Sequence, residues 1–477
     1  MSCRRFPVAV RAALLTLAAA LFAAPRAADA RMSVNGLFSD NAVLQQGIKL
    51  PVWGTAEDGE KITVSIAGQT VETTATGGQW RVELAPLKAG GPYTLAIDGP
   101  NDKIEARNVL VGEVWIAGGQ SNMEMKVNNS ANAPAEIASS ANPKVHLITI
   151  PHHQKATKPA TNVQAKWVEC DPKMVGDFSA VAYFFGRALQ KQLDVPVGLI
   201  SCNVGGTTAE RWMSKEAFDA EPALKEMPRT QKDKGDFDLY NGMLHPLIPF
   251  GIRGAIWYQG ESNAGLAWDY RTLFPAMIKC WRDDWKQGDF PFLFVQLAPY
   301  MKISDQPQDS NWAELREAQL LTTVISPNTA MAVITDVGEE KDIHPKRKQP
   351  VGERLALAAR ALAYGEKIEY VGPTYESLTI SGPEAILHFK HVGSGLVVKG
   401  EQLTGFTIAG ADKKFHNAEA KIAGDTVVVS GSDVAKPVAV RFGWANYPVV
   451  NLWNKEDLPA SPFRTDDFPG MTKPKDR

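Results

Sequence analysis

The stretch Val114-Trp115-Ile116-Ala117-Gly118-Gly119-Gln120-Ser121-Asn122-Met123-Glu124 constrains the fold more than any other part of the chain. Val114 and Ile116 favour extended backbone, so the run reads as a buried strand. Gly118 and Gly119 then permit a tight turn and close backbone approach. Ser121 follows at once, between polar Gln120 and Asn122. A strand ending in such a turn gives one hydroxyl rigid support and free backbone N–H groups nearby, which a nucleophilic serine requires. An ordinary turn with a surface serine has the same local pattern, and the G-x-S-x-G elbow is not met here. Other parts of the chain decide between the two.

On either side of this stretch the periodicity changes. Residues 31–108 alternate apolar and polar in short runs, as in Ile62, Val64 and Ile66 or Trp80, Val82 and Leu84, with glycine turns between them. That pattern predicts a small β-sandwich. Residues 109–365 alternate strand and helix patterns instead. Strands are expected at 110–117, 196–201, 252–258, 292–297 and 330–335, and helices at 179–192, 268–286, 311–323 and 350–364. Such alternation predicts an α/β domain, a parallel sheet with helices on both sides, with ligands bound beyond the carboxyl ends of the strands. The stretch 202–245 reads as mostly loop, long enough to shape a cleft. Residues 366–477 return to β-rich sequence.

The first thirty residues read as a signal peptide. Arg4, Arg5 and Arg11 precede an apolar run from Ala12 to Ala24, and Ala28-Asp29-Ala30 is a small-x-small cleavage site. The expected product is exported, periplasmic or extracellular, without a membrane anchor. Cys170, Cys202 and Cys280 remain after cleavage; they allow at most one disulfide and lack metal-site spacing. The formal net charge of −2 comes with no dominant basic patch, so no nucleic-acid partner is expected. Twelve tryptophans suit sugar-binding faces as well as cores.

Three more polar loops fall at or after strand ends. Ser201-Cys202-Asn203-Val204-Gly205-Gly206-Thr207-Thr208 has paired glycines that can turn an N–H toward a ligand oxygen, or form a plain turn. Trp257-Tyr258-Gln259-Gly260-Glu261-Ser262-Asn263 crowds four polar side chains into one turn. Asp336 to Pro345 carries His344, placed to reach Ser121 across the sheet top as a general base, or to sit free in a charged loop. His152 and His153 read as solvated loop, and His245 as a possible cleft residue.

Together these residues resemble the sialate O-acetylesterase family of the SGNH-hydrolase superfamily, related to acetylxylan esterases. The matching pieces are GQSNME at 119–124, NVGGTTAERW at 203–212, YNGMLHPLIP at 240–249, WYQGESN at 257–263 and DIHP at 342–345. The resemblance implies an SGNH-type α/β fold and a serine esterase that removes acetyl groups from a carbohydrate, sialate or a polysaccharide such as xylan. It implies Ser121 as nucleophile and His344 as general base. The Ser121 N–H, the Gly206 N–H and the side chain of Gln259 or Asn263 would bind the oxyanion. No metal or organic cofactor is implied. The superfamily's G-x-N-D reads Gly260-Glu261-Ser262-Asn263 here, and its D-x-x-H has Asp342 only two positions before His344. Residues two apart diverge in extended chain, so Asp342, Glu261 or a backbone carbonyl could each orient the imidazole. Arg211 and Trp212 are expected to line the cleft, Arg211 facing a carboxylate and Trp212 stacking on a sugar ring. A non-catalytic glycan-binding protein would need neither Ser121 nor His344. A thioesterase or lipase would want an apolar acyl channel in place of the polar third loop.

Overall fold

The structure, a computed structural model, describes residues 31–228 and 237–475. The expected signal segment lies outside the described residues. The central sheet is built from β1 (Lys103–Gly119), β2 (Asn142–Thr149), β3 (Val168–Cys170), β4 (Val197–Asn203), β5 (Gly254–Tyr258), β6 (Phe292–Val295) and β7 (Thr329–Ala332). Their order is β3-β2-β4-β1-β5-β6-β7. All neighbours pair in parallel except β3, which runs antiparallel to β2 at the edge.

β1 belongs to two sheets. Its first residues alternate in exposure and pair antiparallel with Gly90–Asp98 of the N-terminal β-sandwich. From Val109 to Gly119 every residue is buried, as expected of a central parallel strand covered on both faces. The division expected between residues 108 and 109 therefore falls inside one continuous strand. Leu50–Thr55 and Gln79–Leu84 form the facing layer of the sandwich with Ser33–Val34.

Four helices cover the sheet: α1 (Ala180–Leu193), α2 (Ala267–Trp285), α3 (Asn311–Ile325) and α4 (Gln349–Tyr364). Side chains alternate along the strands, so Trp115 and Ile256 join the core under α1 and α4, while Ile116 and Trp257 join the one under α2 and α3. Local chemistry sets the helix ends. Ser179 and Ser310 accept the N–H of Ala182 and Ala313 as N-caps, and Gly365 ends α4 at φ 72°. Residues 366–475 form three small antiparallel sheets around one apolar cluster that includes Phe406, Val427 and Phe442.

Several elements escaped the periodicity. β2 and β3 extend the sheet beyond β4, and the stretch 202–245 holds short helical turns, Ala209–Trp212, Lys215–Ala220 and Pro222–Lys225, rather than mostly loop. The three remaining cysteines are free and buried.

The chain order makes β1 the switch point of the sheet. β4 lies on one side of it and β5 on the other, where an open α/β sheet leaves a crevice. Gly119 pairs with both Asn203 and Tyr258, so the loops after β1, β4 and β5 leave the sheet level with one another.

Candidate active site

Ser121 opens a single helical turn, Ser121–Glu124, directly beyond β1. Its Oγ lies 2.8 Å from Nε2 of His344, which comes from the loop between β7 and α4. Both residues are half-buried. The competing histidines lie elsewhere. His245 lines a separate cavity of about 350 Å³ with Asn35, Trp53 and Pro249, and does not reach the Ser121 cleft. His153 is exposed. His152, read as solvated loop, is exposed too, and stands 3.6 Å from a carboxylate oxygen of Glu124.

The two-residue spacing of Asp342 and His344 is resolved by a turn. Oδ1 of Asp342 accepts the backbone N–H of His344 at 2.9 Å, an Asx-type contact that bends the chain. The same oxygen lies 3.7 Å from Nδ1 of the imidazole, within electrostatic reach but beyond a hydrogen bond. Glu261, the rival orienter, accepts from Nδ2 of Asn122 at 2.6 Å and does not bond the imidazole. The same Asn122 amide donates to the Ile343 carbonyl at 2.9 Å, and its Oδ1 accepts from Lys348. Asn122 thus ties the residue after the serine to the residue before the histidine. Lys348 is 1% exposed, and burial pushes its ammonium down to about 7 against the opposing pull of Glu261, Asp342 and Glu339. Burial likewise pushes the Glu261 carboxyl up. Oε2 of Glu261 and the Tyr258 hydroxyl are buried with no hydrogen-bond partner among the described residues. Sequence reasoning missed this layer of Asn122 and Lys348. A lysine on the turn before an amphipathic helix reads as solvated surface unless its neighbours in space are known.

The expected oxyanion donors divide. Gly206 has φ 69° and is exposed, and its N–H and that of Ser121 have no protein partner among the described residues. The glycine that abuts the nucleophile is Gly205: a Cβ there would lie 3.3 Å from Cβ of Ser121. Its N–H goes to Oε2 of Glu124 at 2.5 Å. Gln259 and Asn263 do not fit the expected role. Both are buried, with Nε2 of Gln259 donating to Asn263 Oδ1 and the Thr207 carbonyl, and Nδ2 of Asn263 donating to Glu210. Oδ1 of Asn263 also accepts the Ala209 N–H, so these amides brace the loops after β4 and β5. Gln120 does similar work between the loops after β1 and β5, its Oε1 accepting the Ser262 N–H at 3.2 Å.

The cleft-lining roles expected of Arg211 and Trp212 are corrected by their packing. The Arg211 guanidinium makes a two-pronged contact with Asp238, at 2.8 Å to each carboxylate oxygen from one nitrogen. Trp212 is fully buried, donates to Oγ1 of Thr207 and packs edge-on against Trp257. Trp212 has no free face for a sugar, and Arg211 directs Nε and one Nη nitrogen to Asp238.

Taken as chemistry, the cleft offers a hydroxyl bonded to an imidazole, a carboxylate on the far side of that imidazole, and two unpartnered backbone N–H groups. These are the parts of acyl transfer through a serine.

Four likenesses bear on the chain. The family model described as "Carbohydrate esterase, sialic acid-specific acetylesterase" matches residues 111–361. A human protein named sialate O-acetylesterase is 31% identical, covering 88% of this chain and 90% of its own. The mouse protein of the same name is 28% identical, with 86% and 90% covered. The crystal structure of a carbohydrate acetylesterase from Xanthomonas citri is 40% identical and superposes with a TM-score of 0.86, over 92% of this chain and 100% of that one.

Proposed function

This chain belongs to the sialic acid-specific acetylesterase family of carbohydrate esterases, and we propose that it cleaves sugar O-acetyl esters through an acetyl-Ser121 intermediate. The observation that carries the reading is the 2.8 Å contact between Ser121 Oγ and His344 Nε2. His344 takes the hydroxyl proton as Oγ attacks the acetyl carbonyl. The N–H groups of Ser121 and Gly206 stabilise the resulting oxyanion. When the ester bond breaks, His344 returns the proton to the departing sugar oxygen. Water then repeats the cycle on the acetyl-serine, losing its proton to His344 and releasing acetate. Asp342 favours the transient imidazolium by charge, from 3.7 Å. The sugar is a sialate, as in the names of the mammalian relatives, or another acetylated carbohydrate, as in the name of the Xanthomonas citri enzyme.

Acetate release from a chromogenic acetyl ester tests the mechanism. Turnover by the wild type and its loss in a folded Ser121→Ala variant are expected; equal rates in both would overturn the nucleophile. Export is part of the proposal, resting on the charged, apolar and small-x-small order of residues 1–30. Recovery of a product beginning near Arg31 outside the cytoplasm is the expected result.

A further inference from the structure

We infer that the cavity lined by Trp53, Arg81 and His245 is a second carbohydrate site, apart from the Ser121 cleft, and that it takes a sugar unit carrying a carboxylate. One wall follows from strand period. Leu50–Thr55 and Gln79–Leu84 pair antiparallel, with Trp53 opposite Arg81 and Thr55 opposite Gln79. Residues two apart along a strand share a face, so these four side chains stand together. The opposite face carries Val52, Trp80 and Val82 into the core of the sandwich. Trp53 is therefore a large aromatic on the polar side of its strand pair, half-buried and edge-on to Phe38 at 5.0 Å. Loops of the α/β domain close the space against this wall, and all four residues line it.

The facing loops supply bonding groups. Nδ1 of His245 meets the Ala160 carbonyl at 2.8 Å. A carbonyl only accepts, so Nδ1 carries the proton, and Nε2 of the neutral ring is left as an acceptor with no partner among the described residues. Oδ1 of Asn162 accepts the Gly36 N–H at 2.9 Å, and its amide N–H groups have no partner among the described residues. An indole, a hydroxyl acceptor and an amide donor around a cavity of about 350 Å³ suit a sugar ring. Arg81 decides its charge. Arg81 is exposed and makes no ion pair among the described residues, and no aspartate or glutamate lines the cavity. Glu83, next along the same face, is paired with Lys49 at 2.8 Å. A guanidinium without an acid partner beside an acid-free cavity favours an anion, and its planar donors match a carboxylate. The stretch 240–249, which brings His245 no nearer to Ser121, has its use here.

The test is calorimetric titration of the protein with the methyl glycosides of glucuronic acid, N-acetylneuraminic acid and glucose. None carries an acetyl ester, so the result stands whether or not Ser121 is the nucleophile. At low salt, about 20 mM, at least one acidic glycoside is expected to bind about tenfold more tightly than the glucoside, the scale of one charge-assisted hydrogen bond. Which acid binds identifies the source of the carboxylate. Arg81→Gln should bring acid and glucoside within about threefold of each other, and Trp53→Ala should weaken all of them by about tenfold. Turnover of the chromogenic acetyl ester by Arg81→Gln should stay within about twofold of the wild type, since loss of an exposed charge outside the cleft leaves the transition state untouched. Arg81 is exposed, so its variant carries the test even where Trp53→Ala does not fold. Equal wild-type affinities for acid and glucoside, no binding of any of the three, or an acid preference that survives Arg81→Gln would overturn the inference.

Discussion

The loops after β1 and β5 are alike in sequence and opposite in use. The first holds Gln120, Ser121, Asn122 and Glu124 behind a glycine pair; the second holds Gln259, Glu261, Ser262 and Asn263 around Gly260. They leave the sheet side by side. In the first, Ser121 and Glu124 are half-exposed while Gln120 and Asn122 turn inward. In the second, Gln259 and Asn263 are fully enclosed and bonded to Thr207, Tyr270, Glu210 and the Ala209 N–H. Four polar residues at a strand end therefore mark a site in one case and its scaffold in the other. Buried amides must be paired, and Gln259 spends both of its N–H donors on Thr207 and Asn263.

The sharpest way to break this contrast is at its open end. Ser121→Ala should lower kcat by roughly a thousandfold or more with the melting temperature unchanged, because the hydroxyl acts in the transition state and holds little structure. Asp342→Asn should follow with a loss of about a hundredfold, the scale of one unit charge at this distance in a partly solvated site. A loss under about threefold would leave His344 and Ser121 as a dyad without need of the carboxylate.

At the closed end the effect should fall on stability. Asn263→Ala removes the acceptor of the Ala209 N–H and of the Gln259 amide, and should cost about 3 kcal/mol in urea unfolding. Its kcat should stay within about tenfold of the wild type. A fall of about a hundredfold or more at little cost in stability is the mark of an oxyanion donor, and would erase the contrast between the loops.

The smallest effect concerns the layer between the two loops. Lys348 has a lowered folded value, so the folded state disfavours its charged form. That cost is full below about pH 7 and is relieved as pH rises from about 7 toward the ordinary lysine value of 10.5. Lys348→Met lacks this slope. The melting temperature of the wild type relative to the variant should therefore climb by a few degrees across that window. A flat difference would mean that Lys348 stays charged throughout.

Much of the fold was legible because it is written in local periodicity. The helix expected at 179–192 is Ala180–Leu193, and the one expected at 350–364 is Gln349–Tyr364. The strand that carries Ser121 could be read from its β-formers and glycines alone. β2 was not legible: Asn142, Lys144 and His146 interrupt its apolar residues, and only its place beside β4 buries it. In the candidate site, Ser121 and His344 were legible as residues facing one sheet edge. The assignments to Gln259, Asn263, Arg211 and Trp212 failed for one physical reason. A polar or aromatic side chain beside a cleft in sequence can turn its bonding to the scaffold, as Arg211 does to Asp238 across a separation of 27 residues.

By itself the sequence determined the class of fold, the edge of the sheet where chemistry is possible and the serine that a rigid turn presents there. These follow from propensity, period and glycine, which act within a few residues. Only the tertiary structure decided what each polar group does. The Ser121–His344 contact joins residues 223 positions apart. Asn122 meets Lys348 from 226 positions away, and Glu124 meets Gly205 only because β4 flanks β1. Strand order governs such meetings, and a local pattern carries no information about the order in which strands are laid side by side.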